Sequence, residues 1–234
     1  MPSGSGRLGI VADLWRFPVK SFGGERLRRA FVGPFGLLGD RRYAVDAGEG
    51  PVTARRTPAL LAFRAGYGEI DAAENVTVTL PDGGVAPAGD AVLRTVLRDM
   101  VNADVSIVES PLGIFDAAPL QLLGEPSIAA LADIAGMELD RRRFRANILV
   151  EPDDGEPFAE DGWIGGRLTI GEALIEVVVN TERCAVTTFD PDTGERHPDV
   201  LRALATSREN LFGVYARVLR PGWVATGDVI NRAG

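Results

Sequence analysis

Hydrophobic and polar positions alternate along much of the first half of the chain. LGIVADLWRF (residues 8–17) reads as a strand that ends at Pro18. RLRRAFVG (26–33) and RRYAVDA (41–47) lie on either side of PFGLLGD, whose Gly and Pro break the pattern. ALLAFRAGY (59–67) and NVTVTLPDGG (75–84) follow, the second closing on a Pro-Asp-Gly-Gly turn signal. The spacing turns helical at DAVLRTVLRDMV (90–101), with Asp90 placed to cap it, and VSIVES (105–110) returns to strand.

The second half mixes both periods. SIAALADIAG (127–136) predicts a helix with Gly136 as its C-terminal cap, and a further helix is expected near 198–211. Strands are expected over FRANILVE (144–151), RLTIG (167–171), ALIEVVVN (173–180), FGVYARVL (212–219) and GWVATGDVI (222–230). Many short strands with a few isolated helices predict a mostly β, α+β protein of barrel-like architecture, not an alternating β-α sandwich. A composition break over PLGIFDAAPLQLLGEP (111–126) marks a candidate boundary, and no internal repeat or low-complexity segment is found.

Composition narrows the function classes. The 234 residues suffice for one large domain or two small ones. No apolar run approaches the roughly 20 residues needed to span a bilayer, and the start lacks a basic segment followed by an apolar one. A single cysteine forms no internal disulfide and holds no iron–sulfur cluster, so any electrons must come from another protein. These points lead to an expectation of a cytoplasmic protein with no membrane contact. A net charge of −8 argues against a nucleic-acid surface. The arginines are nonetheless clumped, at 41–42, 55–56, 141–143 and 145, which suits either a small anionic ligand or a solvated surface. Among the 25 basic residues Lys20 is the only lysine. In an Arg-biased chain this marks either a site that needs a compact ammonium or a chance survivor.

The chemistry concentrates in IEVVVNTERCAVTTFDPDTGERH (175–197), which holds the only cysteine, Cys184, and the only histidine, His197. Cys184 reads as an inert core filler or, with Arg183 beside it favouring a thiolate, as a nucleophile or soft metal ligand. His197 lacks metal-ligand spacing and reads as a surface residue; a Cys–His pair is not specified by the spacing. Glu160-Asp161 reads as an acid/base pair or as loop-ordering residues. No GxSxG or GxxxxGK[ST] phosphate-binding loop occurs.

Several phrases in order, FPVKSFGGERL, GDRRYAV, VTARRTPALL, RRRFRANILVE, FAEDGW, ERCAVTTFDPDTG and FGVYARVLRPGWVATGD, resemble the MOSC proteins. Within them they resemble the molybdenum-cofactor branch typified by the amidoxime-reducing component. The resemblance implies a two-part β-barrel-like fold, a MOSC N-terminal barrel over 7–112 and a MOSC domain over 113–232. It also implies a molybdopterin cofactor with molybdenum bound to Cys184. Lys20 and Ser21, Arg41, Thr53 and Arg55, Arg143, Arg145 and Asn147, and Arg183 carry over as cofactor-binding residues. Asp190 matches an aspartate near the metal-facing side, for proton delivery or for ordering its turn.

The implied activity is reduction of small N-hydroxylated or N-oxygenated compounds by oxygen-atom removal at molybdenum. Electrons would come from an external flavin or iron–sulfur reductase or a b-type cytochrome-like carrier. The chain reads as a minimal version without the extra iron–sulfur domain or membrane anchor of some relatives. Two alternatives stand beside this: a sulfur carrier using a Cys184 persulfide, and a non-catalytic anion- or cofactor-binding module with no need of Cys184.

Overall fold

The structure is a computed structural model and describes residues 6–68 and 75–234, so the first five residues of the N-terminal reading lie outside the described residues. The first half contains β1 (Arg7–Arg16), β2 (Glu25–Leu27), β3 (Arg29–Gly33), β4 (Gly36–Leu37), β5 (Tyr43–Asp46), β6 (Arg64–Gly66), β7 (Thr77–Thr79), β8 (Val85–Pro87), α1 (Ala91–Val101) and β9 (Ser106–Glu109). The second half contains β10 (Leu120–Gly124), α2 (Glu125–Ala135), β11 (Ile148–Pro152), β12 (Arg167–Ile170), β13 (Ala173–Glu182), α3 (Pro198–Arg208), β14 (Leu211–Arg220), β15 (Gly222–Ala225) and β16 (Val229–Ala233).

Seven strands close into a barrel in the order β1–β11–β10–β14–β13–β12–β16 and back to β1, with β2 added along β1. Only β10 and β11 run parallel among the barrel neighbours. The fold is therefore the expected α+β, barrel-based architecture. Closure removes the open edges that a sheet of this length would expose. Leu14, Leu122, Ile148, Leu168, Ile175, Val177, Val214 and Ile230 fill the main core. Smaller sheets, β15–β3–β4, β5–β9 and β6–β7–β8, carry the rest of the first half, and α1 buries Leu93 and Leu97 in a second core there.

A third core lies where α2 and α3 cover one side of the barrel, joining Leu123, Leu149 and Phe212 to Ile128, Leu131, Val200 and Leu204. It explains the largest departure from the sequence pattern. LQLLG of β10 sits inside the composition break and is buried at all five positions. Leu120 and Leu122 belong to the main core while Leu123 faces the helices, so the strand has no polar face and no period to read. Two other expectations are corrected locally. Residues 59–62, expected to begin a strand, belong to a 3-10 helix over Pro58–Ala62, consistent with proline at a helix start. In the expected strand at 173–180, the apolar pattern misleads at Val178 and Val179, which are exposed at a register shift between Val177 and Val179.

A second bulge shapes the site. Between the pairs Asn180–Val214 and Glu182–Leu211, Phe212 and Gly213 of β14 oppose the single residue Thr181. Gly213 has φ +77°, and a Cβ there would stand 2.7 Å from the Leu122 carbonyl oxygen. Only glycine fits that turn of the backbone.

Candidate functional site

Beyond this bulge β13 ends at Glu182, and Cys184 heads a 3-10 turn over Ala185–Thr188. The loops of the first half come over this region and enclose a cavity of about 560 Å³, within the range of a small-molecule or cofactor site. Its walls include Lys20, Ser21, Arg41, Thr53, Arg55, Arg143, Arg145, Arg183 and Cys184. Nine of the eleven residues that the family resemblance marks thus meet around one cavity. Asn147 and Asp190 do not line it, but each binds an arginine that does.

Three non-glycine wall residues hold the left-handed backbone conformation: Ser21 at φ 71°, Arg41 at 48° and Arg145 at 54°. Such conformations persist where surrounding bonds over-determine them, and here the bonds are visible. The Ser21 hydroxyl accepts from the Ala54 N–H at 2.9 Å, fixing the turn that carries Thr53 and Arg55. Arg41 pairs with the buried Asp40 and donates to the Arg145 carbonyl at 3.0 Å and the Asn147 carboxamide oxygen at 3.4 Å. Asn147 also donates to the Trp15 carbonyl at 3.3 Å, tying Arg41 to the barrel. Arg145 lies over the Phe17 ring, 4.4 Å from its centroid, and donates to the Phe22 carbonyl.

The charges here are unevenly matched. Among the described residues neither Arg145 nor Arg183 has a carboxylate within ion-pair distance. Burial, aided by neighbouring Arg41, pushes Arg145 down to about 9 and Arg183 to about 10. Arg183 braces the wall, donating to the Phe212 and Phe144 carbonyls at 2.8 Å each. With its amide oriented to satisfy both ends, Gln121 accepts from Arg183 at 2.9 Å and donates to Phe144 at 3.2 Å. The sequence neighbour of Cys184 is therefore largely committed to backbone. Of Arg55 and Arg183, Arg55 is the one raised above the ordinary arginine value, first by Cys184, whereas burial lowers Arg183 although Cys184 acts on it too.

Arg143 is buried. It donates to the Thr188 carbonyl at 3.2 Å and to Asp190 at 2.9 Å, leaving its Nε without a partner. The Thr181 hydroxyl, 1% exposed in the same cavity wall, also has none. Orphaned buried donors in a cavity wall fit a polar ligand, because each costs roughly 1–3 kcal/mol unless one is supplied. Asp190 accepts from the Asp192 and Thr193 N–H groups at 3.0 and 2.9 Å, so it orders the DPDTG turn and holds Arg143.

The remaining candidates lie elsewhere. Buried Glu160 accepts from the Gly124 N–H at 3.0 Å and the Ser127 hydroxyl at 2.9 Å, and Asp161 pairs with Arg208, which is loop ordering. His197 precedes α3 and is absent from the cavity wall. Among the described residues no group of three or more His, Cys, Asp or Glu is set to hold a metal ion. A metal beside Cys184 would have to bring most of its ligands with it.

Sequence reasoning missed Asp116, Gln121, Thr181 and Tyr215 in the cavity wall. Thr181 could have been found from its place in the strand leading to Cys184. Asp116 and Gln121 fall in the composition break, where nothing marks them.

Comparison with known proteins follows the same outline. The MOSC domain model matches residues 110–231 and the MOSC N-terminal beta barrel domain model residues 8–106. The chain is 27% identical over 287 residues to human mitochondrial amidoxime-reducing component 1, covering 97% of this chain and 84% of that protein. It is 29% identical to the molybdenum cofactor sulfurase of Caenorhabditis briggsae, covering 96% of this chain but only 36% of that longer protein. The crystal structure of the YUAD protein from Bacillus subtilis superposes with a TM-score of 0.55 at 15% identity, over 96% of this chain and 95% of that one, a likeness of fold. No helix among the described residues is long and apolar enough to cross a membrane. The chain belongs to the MOSC family, with a MOSC domain preceded by a MOSC N-terminal beta barrel domain.

Proposed function

We propose that this protein is a molybdenum-cofactor-dependent oxidoreductase that reduces small N-hydroxylated or N-oxygenated compounds with electrons from an external donor protein. The observation that carries the reading is the composition of one cavity wall: desolvated, unpaired arginines, orphaned donors on Arg143 and Thr181, and a single thiol. Such a wall suits a ligand with an anionic end, a polar body and a soft metal. Lys20, Arg41, Arg55 and Arg145 would hold the anionic end, Arg143 and Thr181 the polar body, and Cys184 the metal. When bound, the cofactor supplies two-electron chemistry that accepts the substrate oxygen. The overall change consumes two electrons and two protons and releases the amine-level product and water. The chain's own part is to neutralise the ligand's charge with arginines that need little reorganisation, and to keep them in place through Ser21, Asn147 and Asp190.

The resemblance to proteins named amidoxime-reducing component, over nearly the whole chain, supports this reaction class. The resemblance to molybdenum cofactor sulfurases favours, as a second reading, a carrier that holds sulfur as a Cys184 persulfide. That reading requires the thiol but gives no use to the arginine wall.

The test is molybdenum content per chain by elemental mass spectrometry, on protein from a cofactor-competent host, beside Cys184→Ser. Near-stoichiometric molybdenum that falls in the variant is expected, followed by amidoxime reduction with an added donor system. No metal in either folded sample, with a one-sulfur mass gain on the wild type alone, would move the assignment to the carrier.

A further inference from the structure

Three carboxylates pair with cations of the cavity wall, and they are held in different ways. Asp40, beside Arg41, is buried and accepts from the Phe17 N–H at 2.7 Å. Asp190, beside Arg143, accepts from two backbone N–H groups of its own turn. Both are fixed by the backbone whether or not the arginine is present. Asp116 has no such support. Its side chain is 80% exposed, and Lys20, 2.7 Å away, is its only hydrogen-bond partner among the described residues. The surrounding segment is irregular, and Phe115 to Ala118 donate no backbone hydrogen bonds among the described residues.

Lys20 is the opposite case. Its side chain is 12% exposed, and it donates to the Ile114 carbonyl at 3.0 Å and to Asp116. Of the wall cations, the sole lysine is thus covered by a carboxylate anchored through that ion pair. Arg41 and Arg145 are close enough to add to the field holding it there.

We propose that Asp116 is an internal, displaceable competitor that occupies the anion subsite at Lys20 and sets which ligands can enter it. An exposed carboxylate with one hydrogen bond and no backbone donor is more easily displaced than Asp40 or Asp190, even with Arg41 and Arg145 nearby. An incoming multiply charged oxyanion outbids it at Lys20 because it can also bind Arg145 directly, which has no carboxylate within ion-pair distance. A singly charged ligand offers Lys20 nothing that Asp116 does not already provide. Asp116 therefore discriminates by charge as well as by shape. The inference rests on the reading of the cavity as an anion site.

The probe is inorganic pyrophosphate, titrated calorimetrically into the full-length chain made without cofactor. Wild type is compared with Asp116→Asn, Lys20→Met and the double variant, all checked for cooperative melting. Asp116→Asn is expected to bind about fivefold tighter, as removal of an exposed ion-pair competitor implies. Lys20→Met is expected to bind more weakly and to abolish the gain from Asp116→Asn. If wild type binds but Asp116→Asn binds no tighter, the competitor is refuted and the anion site stands. A gain that persists in the Lys20→Met background refutes it too, since it would reflect general charge. If no folded variant binds, both the anion-site reading and the competitor fail.

Discussion

The burial of single groups decides much of this protein's response to pH. Glu160 is fully buried, and desolvation raises its carboxyl above the ordinary glutamate range despite hydrogen bonds from Gly124 and Ser127. A raised folded value means that its contribution to stability is present below the unfolded value and is lost as pH rises through the folded one. Glu160→Gln should therefore flatten the pH dependence of urea unfolding above about pH 4.3 while keeping an acceptor for Gly124. Glu160→Ala should destabilise by about 1–3 kcal/mol, because it strands the Gly124 donor in a buried site. Equal pH slopes in wild type and Glu160→Gln would show that the group titrates as it does in the unfolded chain. Asp190 and Asp192 act in the opposite sense: against desolvation, the Thr193 and Asp192 N–H groups and Arg143 hold Asp190 below the usual range, and hydrogen bonds from Arg142 and Arg64 hold Asp192 below it. Their contribution is present above the unfolded value and lost as pH falls through the folded one.

At the scale of elements, the bulge at Phe212–Gly213 matters more than its length suggests. It opposes two residues of β14 to Thr181, and the freed Phe212 carbonyl accepts from Arg183. Gly213→Ala puts a Cβ against the Leu122 carbonyl oxygen in a left-handed conformation. A loss of roughly 2 kcal/mol or more in denaturant unfolding is expected, with weaker ligand binding because Thr181 and Arg183 shift together. Destabilisation without any effect on binding would separate the bulge from the cavity. Elements with one buried face were legible in advance: β1 by its alternation, α1 by its spacing and by Asp90, whose side chain accepts from the Val92 N–H at 2.7 Å. β10 was not, because it is buried on both sides.

In the whole molecule the two halves of the chain are woven together. β1, at the N-terminal end, is the barrel stave between β11 and β16 and contributes Val11 and Leu14 to the main core. A fragment beginning at residue 113 lacks that stave and leaves two strand edges and the core uncovered. It should show no cooperative unfolding transition by circular dichroism, and adding a peptide of residues 6–17 should restore structure. A cooperative transition in the fragment alone would mean that the remaining strands close without β1. The cavity depends on the same weaving, since Lys20, Arg41 and Arg55 come from the first half and Cys184 from the second.

What the sequence by itself determined is local: one-sided strands and helices from their periods, a lone thiol at a strand end, a lone lysine, and arginines too clustered for an acidic chain. Their order along the chain was enough for the family resemblance. Which charges meet was decided only by the tertiary structure. Asp116 reaches Lys20 across 96 residues, and Arg183 turns to the Phe144 and Phe212 carbonyls. Periodicity reports the side of an element that faces apolar packing. It carries no information on which loops return to the same rim, and that return sets which cations stay unpaired, and so where an anion can bind.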